Sequence, residues 1–257
     1  MFDADEKSAL LKDGVPETMV RRFIGSTEFI NGKLRYCLWI DDSEVEYARR
    51  FPAVCERIDS VRKDRLETTD EAVNKLAARP HQFRERKGDD GRKIFVPIVS
   101  SENREFFPAG LVGDSVIPTN KAFYIPEGPL WALAIISSKL HLAWIEAICG
   151  RLEMRLSYSN TLGWNTFPLP PSGLTQQHMA DLTRCAEDIL LAREAHFPAT
   201  IADLYDPEEM PENLRHAHER NDEVLERIYI GRRFRNDTER LEKLFELYTR
   251  MTSAKAA

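Results

Sequence analysis

Three prolines crowd the segment Phe167-Pro168-Leu169-Pro170-Pro171 and divide the chain into two regimes. Each proline ring fixes its own φ and disfavours helix in the residue before it, so no helix can run through. Beyond this joint the apolar residues recur at helical spacing. Met179, Leu182, Ala186, Ile189 and Leu190 share one face of a predicted helix over 175–196, and Pro198 ends it. Leu214, Ala217, Val224, Leu225 and Ile228 repeat the pattern over 211–230, where Gly231 is the stop signal. Asp237 or Thr238 caps a last helix whose stripe is Leu241, Leu244, Phe245, Tyr248 and Met251.

Before the joint the pattern is mixed. Residues 34–40, 94–99 and 122–125 read as strands, Asn31-Gly32 as a hairpin-type turn, and 88–91 as a loop. Residues 42–51 and 69–78 read as polar helices, the second with Thr69 or Asp70 as its N-cap. Residues 130–149 read as one buried apolar helix, with Gly150 in the C′ position. The expected fold is α+β, a mixed α/β domain over 21–171 followed by an all-helical region over 172–257.

Composition narrows the function classes. With 42% hydrophobic and 30% charged residues, the 257-residue chain resembles ordinary soluble domains. It has no apolar run of membrane-spanning length and no secretion signal, so a cytoplasmic protein is expected, with no membrane partner. Cys37, Cys55, Cys149 and Cys185 are widely spaced and read as reduced thiols, and no ligand spacing suggests a metal. The net charge of −6 argues at first against a polyanionic partner, but it is unevenly distributed. Arg79, Arg84, Arg86, Lys87, Arg92 and Lys93 cluster in one stretch, whereas acids dominate 181–226. No catalytic residue emerges. There is no Gly-rich phosphate loop, no G-x-S-x-G elbow, no Asn-Pro-Pro-Tyr tetrapeptide and no F-x-G-x-G loop for S-adenosylmethionine. The acid pairs Asp41-Asp42, Asp89-Asp90 and Glu208-Glu209 are sequence neighbours that read as solvated side chains.

Five ordered motifs carry a resemblance. They are Arg22-Phe23-Ile24-Gly25-Ser26-Thr27-Glu28-Phe29-Ile30-Asn31-Gly32 with Arg35-Tyr36-Cys37-Leu38-Trp39; then Ser100-Ser101-Glu102-Asn103-Arg104 with Pro108. Next come Ser137-Ser138-Lys139-Leu140-His141 with Trp144 and Gly150-Arg151-Leu152; and Tyr158-Ser159 with Asn165-Thr166-Phe167-Pro168-Leu169-Pro170. The last is Ala202-Asp203-Leu204-Tyr205 with Met210-Pro211 and Ala217-His218. Together the chain resembles the target-recognition domain and C-terminal helical domain of MmeI-like (type IIL/IIG) adenine-specific DNA methyltransferases of bacterial restriction–modification systems. In that family nuclease and methyltransferase domains precede these segments. The resemblance therefore implies a fragment or truncated gene product that starts near the junction, with residues 1–20 as the junction from the preceding methyltransferase domain, and contains no catalytic site. S-adenosylmethionine, and Mg for cleavage, are implied only for the full-length enzyme. The implied partners are double-stranded DNA and a methyltransferase domain, its own or an associated one.

The resemblance also implies where bases are read. Glu153 and Arg155, just after Gly150-Arg151-Leu152, match base-reading positions, as do Ser157 and Lys121. An arginine can pair with guanine O6 and N7, and a carboxylate can accept from cytosine N4. Two apart in an extended segment, Glu153 and Arg155 would emerge on one face; the alternative is a surface ion pair between them. Arg84, Arg86, Lys87, Arg92, Lys93 and Arg104 are candidates for phosphate contacts, which set register without reading sequence. A competing function is a helical protein-interaction scaffold that docks a methyltransferase or other subunit and has negligible DNA affinity alone.

Overall fold

The computed structural model describes residues 1–86, 91–170 and 172–256. Lys87 and residues 88–90 of the expected loop lie outside the described residues. The strands are β1 (Val20–Ile24), β2 (Tyr36–Leu38), β3 (Lys93–Pro97), β4 (Val99–Ser100), β5 (Gly110–Val112), β6 (Val116–Pro118), β7 (Ala122–Pro126), β8 (Gly150–Leu152) and β9 (Arg155–Ser157). The α-helices are α1 (Ala4–Lys12), α2 (Ser26–Ile30), α3 (Val45–Ala48), α4 (Pro52–Glu67), α5 (Glu71–Lys75), α6 (Leu130–Ile136), α7 (Lys139–Ile148), α8 (Gln176–Glu194), α9 (Ile201–Leu204), α10 (Glu212–Ile230) and α11 (Asp237–Ala256). They form two compact units. The first comprises Met1–Ile24, Lys33–Gly91 and Gly113–Thr119; the second comprises Gly25–Gly32, Arg92–Val112 and Asn120–Ala257.

In the first unit β1 pairs antiparallel with β2 and parallel with β6. Asp3 and Glu6 close a reciprocal cap on α1, each side chain accepting the other residue's backbone N–H. Pro52 begins α4, where its missing N–H has no helical partner to lose. The core gathers Phe2, Leu10, Met19, Val20, Ile40, Val54 and Ile58. The helix expected over 42–51 is only the single turn α3; the longer helix follows Pro52.

The second unit contains two antiparallel three-stranded sheets, β5-β3-β7 and β4-β9-β8. The strand expected over 94–99 is split between them at Ile98. The apolar helix expected over 130–149 is also broken. Ser138 Oγ accepts the His141 N–H at 3.1 Å and donates to the Ile135 carbonyl at 2.7 Å, so it ends one helix and caps the next. The two helices bend by 59° at this break. Gly150 starts β8 rather than closing a C′ turn. No single described helix is long and apolar enough to cross a membrane, though the bent α6–α7 pair passes on length and composition; most of its residues are in the core.

The C-terminal helices follow their apolar stripes. Thr175 caps α8 through the His178 N–H, and Gly231, at φ 76, ends α10. One apolar cluster draws from both sides of the proline joint: Leu133, Ile135, Trp144, Leu156 and Phe167 pack with Leu182, Leu225, Tyr229 and Leu244. The Tyr229 hydroxyl donates to the Pro168 carbonyl at 2.9 Å, tying the joint itself to α10.

Candidate nucleic-acid interface

The predicted base readers in the C-terminal part of the mixed region lie on a hairpin. Leu152 faces Arg155 across β8 and β9, which leaves Glu153 and Met154 as a two-residue loop. Glu153 has φ 58, the left-handed region where such a hairpin ordinarily places glycine. For an L-residue this conformation costs about 1–2 kcal/mol. The expected extended Glu-x-Arg unit is thus corrected: Glu153 sits in the turn and Arg155 starts the return strand. The ion pair expected as the alternative is present, with Arg155 Nη2 donating to Glu153 Oε2 at 2.8 Å. Both side chains are exposed, at 48% for Arg155 and 77% for Glu153, so the pair contributes at most about 1 kcal/mol and can open for another partner.

Ser157 lies further down β9, half-buried, opposite Val99 of β4 and Gly150 of β8. Lys121 is exposed and immediately precedes β7. These two residues, distant in sequence, are joined through Ile98. The Ile98 N–H donates to Ser26 Oγ at 2.9 Å, and Ser26 donates through both its N–H and its Oγ to the Lys121 carbonyl. On the other side the Tyr158 N–H donates to the Ile98 carbonyl at 2.7 Å. Glu28, at 7% exposure, accepts the Gly25 N–H at 2.9 Å and so fixes the turn that presents Ser26. The Gly-Ser-Thr-Glu motif therefore positions the Lys121 backbone.

The proposed phosphate contacts divide. Arg84 and Arg92 are exposed. Lys93 is not: it lies in β3 with 0% exposure, so its ammonium group is not presented to a phosphate, and that expectation is corrected. Arg86 is held inside the first unit. Its guanidinium lies 4.4 Å from the Trp39 ring, and it bonds the Ile40 carbonyl at 2.9 Å and Asp41 at 2.7 Å. It supports that fold, and its phosphate role is corrected too. Arg104 is half-buried, with Nη1 on Ser100 Oγ at 3.2 Å and a buried Nε without a partner. Burial pushes its guanidinium below the ordinary range, with Asp206 pulling it back. A run of basic residues in sequence gave no sign of which cations point inward.

The second unit also holds a dense polar joint, partly buried at Glu105 and fully buried at Glu226. Glu105 pairs with Lys139 at 2.6 Å and with Arg215. Asp222 accepts the Lys139 N–H at 2.8 Å, and burial pushes its carboxyl up to about 7. Glu226, at 1% exposure, binds the Arg240 Nε at 2.8 Å and Nη2 at 2.6 Å, and accepts the Phe234 N–H. Arg193 donates to the Tyr205 hydroxyl and to the Ala109 carbonyl at 2.7 Å. Tyr205 in turn bonds His218 Nε2 at 2.7 Å, and His218 stacks on Phe106 at 4.2 Å. Burial drives His218 well below its ordinary range. His141, wholly buried against the Tyr158 hydroxyl at 3.2 Å, is pushed down to about 3. Such histidines are neutral structural groups, not acid–base catalysts.

Among the described residues no His, Cys, Asp and Glu group could hold a metal ion. A cleft of about 260 Å³ in the first unit is lined by Phe2, Cys37, Arg57, Arg65, His81 and Phe83. Burial pushes the Cys37 thiol up to about 12, so it is no nucleophile at neutral pH.

A family model described as "MmeI, target recognition domain" matches residues 1–171, and one described as "MmeI, C-terminal domain" matches residues 175–255. DNA methyltransferase A of Bacillus subtilis (strain 168) is 40% identical over 232 residues, covering 90% of this chain and 26% of that protein. The solved structure of the type IIL restriction-modification enzyme MmeI in complex with DNA superposes with a TM-score of 0.92 at 34% identity. That match covers 98% of this chain and 34% of the solved one. The chain thus spans about a quarter to a third of the length of these relatives.

Proposed function

The chain belongs to the MmeI family, matching its target-recognition and C-terminal domains, and from that premise we propose that it is the DNA-reading module of an adenine-specific methyltransferase with restriction activity. The observation that carries this reading is the exposed β8–β9 hairpin, with Glu153 and Arg155 at its tip and a rigid core at its base. A carboxylate and a guanidinium side by side supply the acceptor and donors that complement the donor and acceptors a C·G pair presents in the major groove. On binding, their mutual ion pair would open and each group would turn to a base edge. Lys121 and Ser157 read neighbouring positions, held in register through Ser26 and Ile98. Arg84, Arg92 and Arg104 remain the phosphate-contact candidates, and Lys87 stays with them as a sequence-based one. Functionally the chain divides into a junction over 1–20, a reader over 21–171 and a helical docking region over 172–257. S-adenosylmethionine, Mg for cleavage and the transferred methyl group belong to domains outside these residues, in a cytoplasmic bacterial enzyme.

Selection from a randomised duplex pool at low salt tests the proposal. A discrete enriched sequence is expected, with binding that weakens steeply as salt rises. A pool that stays random after repeated rounds would sink it in favour of a docking scaffold.

A further inference from the structure

The hairpin tip exposes apolar surface as well as charge. Met154 is 67% exposed and Leu152 51%, and they flank the strained Glu153. Two large apolar side chains on a narrow ribbon are out of place on a tip that merely meets water. Arg151 and Arg155 border them, and Arg151 Nη1 holds the Met154 carbonyl at 3.1 Å, fixing the loop backbone. The charged border suits a polyanion better than an apolar protein surface. A two-stranded ribbon fits the major groove, and the proposed Glu153 and Arg155 contacts require this tip to enter it. Met154 shares the two-residue loop with Glu153, so a tip that enters the groove carries its side chain in with them, beside the base edges that Glu153 and Arg155 would contact. Its thioether has no donor and only a weak acceptor. The apolar group on the major-groove edges of the four bases is the thymine C5-methyl.

We propose that Met154 reads a thymine methyl, at a base pair next to the one contacted by Glu153 and Arg155. This rests on the DNA-reading function proposed above. It adds a specificity contact made by burial rather than by hydrogen bonding, and it gives the exposed apolar side chain at the tip a partner.

The test starts from the sequence enriched from the randomised duplex pool. Deoxyuridine then replaces thymine at each position in turn, deleting one methyl group at a time. With the unsubstituted chain, one position should lose about fourfold in affinity, the fold-change equivalent to about 0.8 kcal/mol for one buried carbon. Met154→Ala should bind the thymine duplex about as weakly as the unsubstituted chain binds the deoxyuridine one, and should be indifferent to the exchange. Arg155→Ala, which locates the neighbouring base pair, should keep the methyl dependence. Failure to enrich any sequence would overturn the underlying DNA reading. An enriched sequence with no methyl-sensitive position, or with a sensitivity that survives Met154→Ala, would overturn this inference alone. Circular dichroism matching the unsubstituted chain confirms that Met154→Ala is folded.

Discussion

The joint between α7, α10 and α11 and the β8–β9 hairpin both concentrate charge, yet they treat it in opposite ways. In the joint, Glu226 is sealed from water with Arg240 and the Phe234 N–H as its partners. At the hairpin, Arg155 and Glu153 pair in open solvent on a strained turn. A buried charge is locked to its partner, because separating them leaves a charge without water. An exposed pair is cheap to separate and so is free to exchange one partner for another. The contrast explains how one compact unit can be rigid in its joint and labile at the tip proposed to read DNA.

Four experiments bear on this contrast. The largest effect is expected in the joint: Arg240→Ala strands Glu226 and should destabilise by about 3–5 kcal/mol in urea unfolding. A loss under 1 kcal/mol would mean the joint is no more demanding than the surface. At the hairpin the expected signature is reversed. Arg155→Ala should leave urea unfolding within about 0.5 kcal/mol of the parent chain. It should lose about 1–3 kcal/mol of discrimination at a single base pair in competition binding. Equal weakening on all sequences would turn Arg155 into a phosphate contact.

Next comes the pH response of the joint. Folded Asp222 keeps its proton up to about pH 7, whereas the unfolded chain releases it near the ordinary value of 3.8. Between these values the folded state binds more protons, so stability falls as pH rises, by up to about 1.4 kcal/mol per pH unit. The contribution is complete below the lower value and lost above the upper one. Asp222→Asn should flatten that part of the stability profile; an unaltered slope would assign it to other groups. The smallest effect is at the turn. Glu153→Gly relieves the left-handed conformation and should raise stability by about 1 kcal/mol while removing the proposed base contact. A loss of stability would show that the carboxylate, not the backbone, decides the turn.

The joint was far more legible in sequence than the hairpin. The stripes of α8, α10 and α11 are long enough for their period to stand out, and Thr175 and Gly231 mark two of their ends. Several residues of the ordered family motifs prove to be hinges and buried partners: Glu28, Ser138, His141, Tyr205 and His218. The hairpin strands are three residues each and their loop has neither glycine nor asparagine, so no turn signal exists. Helix α4 escaped notice because only Val54 and Ile58 are buried along its sixteen residues, too sparse for a visible stripe. Ser137-Ser138 breaks an apolar run with a cap rather than with proline or glycine. Lys93 and Arg86 illustrate the limit of charge counting: a sum over sequence carries no direction, and direction decides whether a cation meets water or a carbonyl.

The prolines that divide the sequence do not divide the core. Trp144, Leu156 and Phe167 share their packing with Leu182, Leu225 and Leu244, and Pro168 itself accepts the Tyr229 hydroxyl. Anyone transplanting this reader onto another enzyme would be drawn to cut at the prolines, where the sequence is plainest. Such a graft would expose a wet apolar wound on both fragments and should be recovered as aggregate. The transferable cassette is larger than the recognition segment: its helical tail has to travel with it, so a new specificity is more economically made by editing the hairpin in place.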